Sequence, residues 1–184
     1  MIGNDIIDLK LAKKQSNYWR AGFLEKQFSS NERVLIRSTS NPFIVVWKLW
    51  SMKEAAYKLY TQENEIRFFA PKKFSCQISS YSKGFVCYKN KVFYTSTILN
   101  KKYIFTIATF KKKTKAFSGI VHPHILDETI KKKLENETDF SSKNIIKKKT
   151  RNGVPQYYHN KIKLTKSCSI SHHGNYGVFS LLLF

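Results

Sequence analysis

The segment from Asn41 to Tyr60 constrains this chain more than any other. Asn is a strong helix N-cap. Pro at the first helical position has the right φ, and the N–H it lacks would be an orphan there anyway. The next residues, Phe43-Ile44-Val45-Val46-Trp47-Lys48-Leu49-Trp50, are apolar nearly all round. A helix with no polar face must be buried rather than laid on a surface. It continues through Ser51-Met52-Lys53-Glu54-Ala55-Ala56-Tyr57-Lys58-Leu59-Tyr60. The rest of the chain therefore has to supply the layers that cover it.

Strands are the available cover. Residues 72–110 read as a meander in which Phe74–Ile78, Phe85–Tyr88, Val92–Ile98 and Tyr103–Phe110 carry period-two, β-branched and aromatic sequence. Ser82-Lys83-Gly84, Lys89-Asn90-Lys91 and Asn100-Lys101-Lys102 separate them as turns. Residues 2–9 predict a short strand with Asp5 at its start after a flexible Gly3, and residues 17–37 an irregular helical stretch. Residues 111–124 read as a linker, Leu126–Leu134 as a short amphipathic helix and Asn152–Pro155 as a loop. The chain closes on a strand pair near 167–171 and 176–183. This order predicts an α+β fold of two lobes, 1–115 and 116–184.

Composition narrows the function. With 14 Phe, 10 Tyr and 3 Trp among 184 residues the chain is a folded globule, not a disordered one. Cys76, Cys87 and Cys168 are odd in number and scattered, as expected in a reducing cytoplasm. Met1-Ile2-Gly3-Asn4-Asp5 is not a signal peptide, and no apolar run is long enough to span a membrane. The net charge of +21 suits a nucleic acid, an acidic protein or a phosphorylated ligand, and also suits the Lys, Ile and Asn bias of AT-rich coding. On the bias reading, the Lys runs at 111–113, 131–133 and 147–149 are solvated faces and loop ends. Scarce Arg argues against base-specific recognition, where bidentate Arg is the commonest reader. The P-loop, dinucleotide-binding and nucleophile-elbow patterns are missing.

Few residues can carry chemistry. Asp5 is either a strand-edge cap or a metal ligand. Glu54 and Lys58 are either an i, i+4 helix pair or part of a Mg²⁺ and phosphate site, since Mg²⁺ takes only one or two carboxylates beside substrate phosphates and water. Ser169-Ile170-Ser171-His172-His173-Gly174 is either a polar hairpin tip or a phosphate contact. The five His residues lack the spacing of a zinc site.

Three segments in this order resemble motifs of the 4′-phosphopantetheinyl transferase superfamily. Gly3-Asn4-Asp5-Ile6 is similar to its G-x-D-I motif, and Trp50-Ser51-Met52-Lys53-Glu54-Ala55-Ala56-Tyr57-Lys58 to its W-x-x-K-E-A-x-x-K motif. Gly153-Val154-Pro155 and Ser169-Ile170-Ser171-His172 resemble its G-[KR]-P and S-x-S-H elements. The motif order resembles the small holo-acyl-carrier-protein synthases, which are trimers. The length resembles the two-lobed, surfactin-synthetase-activating type, with its halves joined in the other order.

The resemblance implies a pseudo-dimeric fold and Mg²⁺-dependent transfer of phosphopantetheine from coenzyme A to a serine of an acidic acyl or peptidyl carrier protein. Asp5 and Glu54 would hold Mg²⁺, with Glu54 also a candidate base. Lys58, Ser171 and His172 would hold phosphate oxygens, and Pro155 would lie near the adenine. Three positions depart from the pattern. Ile7 replaces a third carboxylate, with Asp8 a possible helper; Val154 replaces a basic residue, for which Lys149 or Arg151 would substitute; and His173 replaces a small hydroxyl residue. A monomer is expected, with a trimer as the alternative. The competing functions are a basic nucleic-acid-binding protein and a relative that binds carriers without catalysis.

Overall fold

The structure is a computed structural model that describes residues 1–68 and 70–184. β1 (Ile2–Asp8) is buried along its whole length and is the axis of the molecule. It leads into α1 (Leu9–Gln15), α2 (Phe23–Gln27), α3 (Ser30–Ser38) and the long α4 (Pro42–Asn64). Asn41 Oδ1 accepts the Ile44 N–H at 3.2 Å, and Pro42 opens the helix as its sequence requires. The meander comes next as β2 (Ser75–Ile78), β3 (Lys83–Tyr88), β4 (Lys91–Leu99) and β5 (Tyr103–Thr109). Antiparallel pairing gives a five-stranded sheet in the order β1-β5-β4-β3-β2, against which α4 packs. Leu49, Met52, Ala55, Ala56 and Leu59 of α4 meet Val86, Phe93, Ile104 and Ala108 of the sheet in the larger core.

Gly3 stands in mid-strand, so flexibility does not explain it. A Cβ there would lie 2.0 Å from the Ala55 carbonyl oxygen. The missing side chain lets β1 and α4 approach, which places the strand's carboxylate beside the helix's.

The second half holds β6 (Phe117–Val121), α5 (Leu126–Thr138), β7 (Ile145–Lys149), β8 (Pro155–His159), β9 (Ile162–Lys163), β10 (Thr165–His173) and β11 (Tyr176–Leu183). They form two three-stranded sheets, β10-β11-β6 and β7-β8-β9. A second core gathers Leu126, Ile130 and Leu134 of α5 with Ile145, Tyr157, Phe179 and Leu181. Ile6, Phe105 and Val178 form a third, joining the two halves.

The α+β class expected from the sequence is the one found. Two local expectations fail: α4 runs four residues past Tyr60, and the supposed linker contains β6. Two elements stand where the sequence carried no expectation, the helix α1 and the small sheet within residues 145–163. β6 was hidden because Lys-rich sequence precedes it and Gly119 interrupts it; a Cβ at Gly119 would meet the Phe179 ring at 2.6 Å.

The free edge of β1 is closed by side chains. Ile2 N–H donates to Ser167 Oγ at 2.9 Å, Asn4 N–H to Ser169 Oγ at 2.9 Å, and Asp8 N–H to His173 Nδ1 at 2.8 Å. Each pair is 165 residues apart. β10 therefore runs parallel to β1, and its alternate side chains take the place of a backbone ladder. Buried N–H groups need partners, and here hydroxyls and one imidazole supply them.

Candidate active site

The motif-bearing elements meet at the β1–α4–β10 junction. Lys58 Nζ donates to Asp5 Oδ1 at 3.1 Å and to Ser171 Oγ at 2.6 Å. Ser171 Oγ in turn lies 2.9 Å from both Asn4 O and Asn4 Oδ1. Lys58 thus pairs with Asp5 across the fold and makes no ion pair with Glu54, its i−4 neighbour, among the described residues. The local-pair reading of Glu54 and Lys58 fails, and the strand-edge reading of Asp5 fails with it: Asp5 sits in mid-strand.

Both carboxylates are strained electrostatically. Burial pushes the Asp5 carboxyl above its ordinary range; the charge and hydrogen bond of Lys58 oppose this, with smaller help from the Ile6 N–H. Burial, then the charge of Asp5, pushes Glu54 up to about 7, against the pull of Lys58. Asp5 Oδ2 is buried without a hydrogen-bond partner, and so is Ser51 Oγ. Two carboxylates whose charges repel, one with an orphaned oxygen, suit a hard divalent cation with oxygen ligands. Among the described residues no cluster of three or more His, Cys, Asp and Glu exists, so protein ligands would be few.

This strain has a measurable consequence. The folded chain holds the Glu54 proton to higher pH than the unfolded chain, where the carboxyl titrates near 4.5. Between those values the folded state binds more protons, so stability falls as pH rises towards 7. We expect the metal-free chain to lose about 2–3 kcal/mol from this group between pH 4.5 and 8. Denaturant melts of wild type and Glu54→Gln measure it, and the variant should show a flatter profile.

A cleft of about 330 Å³ opens beside these groups. Glu54, Lys58 and Thr61 line its α4 side, and Pro155 and Ile170 line the opposite side. Thr61 Oγ1 is buried there without a partner. Pro155 is thus at the cleft, as the motif suggested. Lys149, but not Arg151, lines it and stands near the departed basic position. Arg67 lines it too and was missed, because no motif covers the loop after α4. That loop folds back when Asn152 Nδ2 donates to the Glu65 carbonyl oxygen, leaving Arg67 Nη1 3.7 Å from where a Gly153 Cβ would stand. His172 is exposed on the face of β10 opposite Ser171 and does not line the cleft, to which β10 contributes Cys168, Ser169 and Ile170.

Two further residues gain roles that the sequence left open. His173 accepts the Asp8 N–H. Asp8 caps α1 through the Leu11 N–H at 3.1 Å and accepts the Asn175 N–H at 3.3 Å, so it fixes the β10–β11 turn and not the carboxylate pair. Asn4 was also missed. It donates to Ser169 O and Ser180 Oγ and accepts from the motif serines, knitting the halves beneath the site.

Residues 1–108 match the sequence profile of the 4′-phosphopantetheinyl transferase superfamily, and the chain belongs to it. That family uses coenzyme A and a carrier protein as its two substrates. Among solved structures the chain is similar to the holo-[acyl-carrier-protein] synthase of Thermotoga maritima. The match has 11% identity and a TM-score of 0.46, covering 88% of this chain and 83% of that one. No curated protein matches. No helix among the described residues is long and apolar enough to cross a membrane.

Proposed function

We propose that this chain moves the 4′-phosphopantetheine moiety of coenzyme A onto a serine of an apo carrier protein, with Mg²⁺, and releases adenosine 3′,5′-bisphosphate. One observation carries the reading: Asp5, Glu54, Lys58 and Ser171, drawn from motifs at both ends of the chain, converge beside a ligand-sized cleft. Asp5 and Glu54 would hold the ion, which supplies charge neutralisation on the pyrophosphate when bound.

The chain's own groups do the rest. Lys58 donates to a phosphate oxygen from a position that Asp5 and Ser171 already fix, so little reorganisation is needed at reaction. Arg67 and Lys149 offer positive groups to the outer phosphates along the rim, His172 offers a donor from beyond the cleft lining, and Pro155 faces the adenosine. Glu54 takes the proton of the carrier serine directly or through water. The serine oxygen then bonds to the β-phosphorus as the bond to the bisphosphate oxygen breaks.

The carrier has a place to dock. A groove of about 1000 Å³ next to α1 combines Tyr18, Phe43 and Ile44 with Lys10, Lys13 and Lys101. An acidic carrier would be drawn to it, and screening over about 8–10 Å near physiological ionic strength weakens that attraction. We therefore expect KM for the carrier to rise with salt while KM for coenzyme A changes less; steady-state kinetics at several salt concentrations check this.

We propose a working unit that is a monomer of two lobes, 1–115 and 116–184; the single occurrence of each motif and the Lys58–Ser171 contact within one chain support this reading. The direct test of function is intact-mass spectrometry of apo carriers of fatty-acid, polyketide and peptide type, incubated with the chain, coenzyme A and Mg²⁺. One carrier should gain a phosphopantetheine. Carriers that all keep their mass would reject the reading and leave a carrier-binding protein without catalysis.

A further inference from the structure

A second cavity lies away from this cleft, on the face of the five-stranded sheet that α4 does not cover. It measures about 1040 Å³, far larger than the cleft. Strand register sets its floor in two rows. Phe85, Tyr94 and Thr109 align across β3, β4 and β5, and Lys83, Ser96 and Ile107 form the next row. Gly84 adds bare backbone to the floor. The strap after β5 forms one wall: Thr109 Oγ1 and Thr114 Oγ1 both donate to the Lys111 carbonyl oxygen, at 2.7 and 3.4 Å. That turn sets Lys112 and Lys113 at the rim, with Ala116 beyond them.

The charged groups are of one sign, set among Ser and Thr hydroxyls. Lys83 donates to Ser96 Oγ at 3.0 Å, and Lys112 Nζ stands 5.6 Å from the Tyr94 ring centroid. Neither these two nor Lys113 forms an ion pair among the described residues, and no carboxylate lines the cavity. Small-molecule sites are mostly apolar, hold a few placed polar groups and run to about 1,000 Å³. A second copy of this chain fits poorly, because pairing the face with itself would set lysine against lysine in a molecule of net charge +21.

We propose that this sheet face binds a free long-chain fatty acid, its chain on Phe85, Tyr94 and Ile107 and its carboxylate among Lys83, Lys112 and Lys113. The site is separate from the catalytic cleft and does not depend on the function proposed for it.

The test is titration of the full chain with a fluorescent polyunsaturated fatty acid, followed by competition with palmitate. We expect one saturable site and displacement by palmitate but not by the matching long-chain alcohol. Ala116→Trp fills the cavity, and Lys112→Glu with Lys113→Glu reverses its rim; each should weaken binding about tenfold or more at unchanged melting temperature. The rim lysines are exposed, so that double variant reads out even where the Trp variant fails to fold. Equal competition by the alcohol, many weak sites, or unchanged affinity in the rim variant would overturn the proposal. So would binding that appears only with anionic phospholipid vesicles.

Discussion

Glu54→Ala is expected to lower kcat/KM for phosphopantetheine transfer by about a thousandfold or more while making the metal-free protein more stable at pH 8. The two effects share one origin. Glu54 is held largely out of water beside Asp5, and this burial and repulsion raise its proton affinity. At pH 8 the group is ionised in a place that resists its charge, so removing it relieves the folded state. The same charge, set against Asp5 Oδ2, which has no partner, is what a cation would compensate. Lost transition-state stabilisation of about 4 kcal/mol corresponds to the thousandfold drop. Asp5→Ala should be as inactive but without the gain in stability, because it strands Lys58, whose ammonium otherwise pairs with Asp5. Steady-state kinetics with saturating Mg²⁺ and melts in chelator separate the two variants. An active Glu54→Ala enzyme would remove Glu54 from both its assigned roles.

The second large effect is structural. Lys53 precedes Glu54 in the motif, yet its side chain points the other way and is fully buried. Its ammonium donates to Glu32 Oε2 at 2.8 Å, to Pro71 O at 3.0 Å and to Phe74 O at 2.5 Å. Glu32 is shared in turn. Oε2 accepts the Ser29 N–H in the capping box of α3, and Oε1 accepts the Cys76 N–H at the start of β2. One ion pair therefore ties α3, α4 and β2 together. Truncating either partner leaves a buried charge without compensation, which costs about 3–5 kcal/mol. Lys53→Ala and Glu32→Ala should each lower the denaturation free energy by that amount. The double replacement Lys53→Met with Glu32→Leu should recover much of it, since a well-packed apolar pair avoids the desolvation cost. Urea melts of the three variants measure this, and an additive double variant would show that the pair does not act as a unit.

How much of this was legible in the sequence depends on the range of each interaction. The helix at α4 and the meander are local: caps, turns and period-two sequence lie within a few residues of what they specify. Asp5, Glu54, Lys58, Ser171 and Pro155 were legible through motifs, and the fold brings the first four together. Arg67, Asn4 and the Glu32–Lys53 pair were not. Their roles come from contacts between residues far apart in the chain, such as Asn152 with Glu65 and Asn4 with Ser169. Spacing within one segment carries no trace of such contacts. The alternation of Ser169 and Ser171 was visible, but its main use was not. With Ser167 these hydroxyls meet β1, while Ser169 also lines the cleft and Ser171 accepts from Lys58.

The central claim is that one polypeptide closes the catalytic cleft, with Asp5 and Glu54 from one end of the chain and Ser171 and His172 from the other. It is tested most directly by mixing two inactive proteins, Asp5→Ala and the double variant Ser171→Ala with His172→Ala, and following carrier mass with coenzyme A and Mg²⁺. A site closed within one chain predicts no transfer at any mixing ratio from a protein that sediments as a 21.6 kDa monomer. Transfer restored by mixing, or a trimer at the assay concentration, would contradict it.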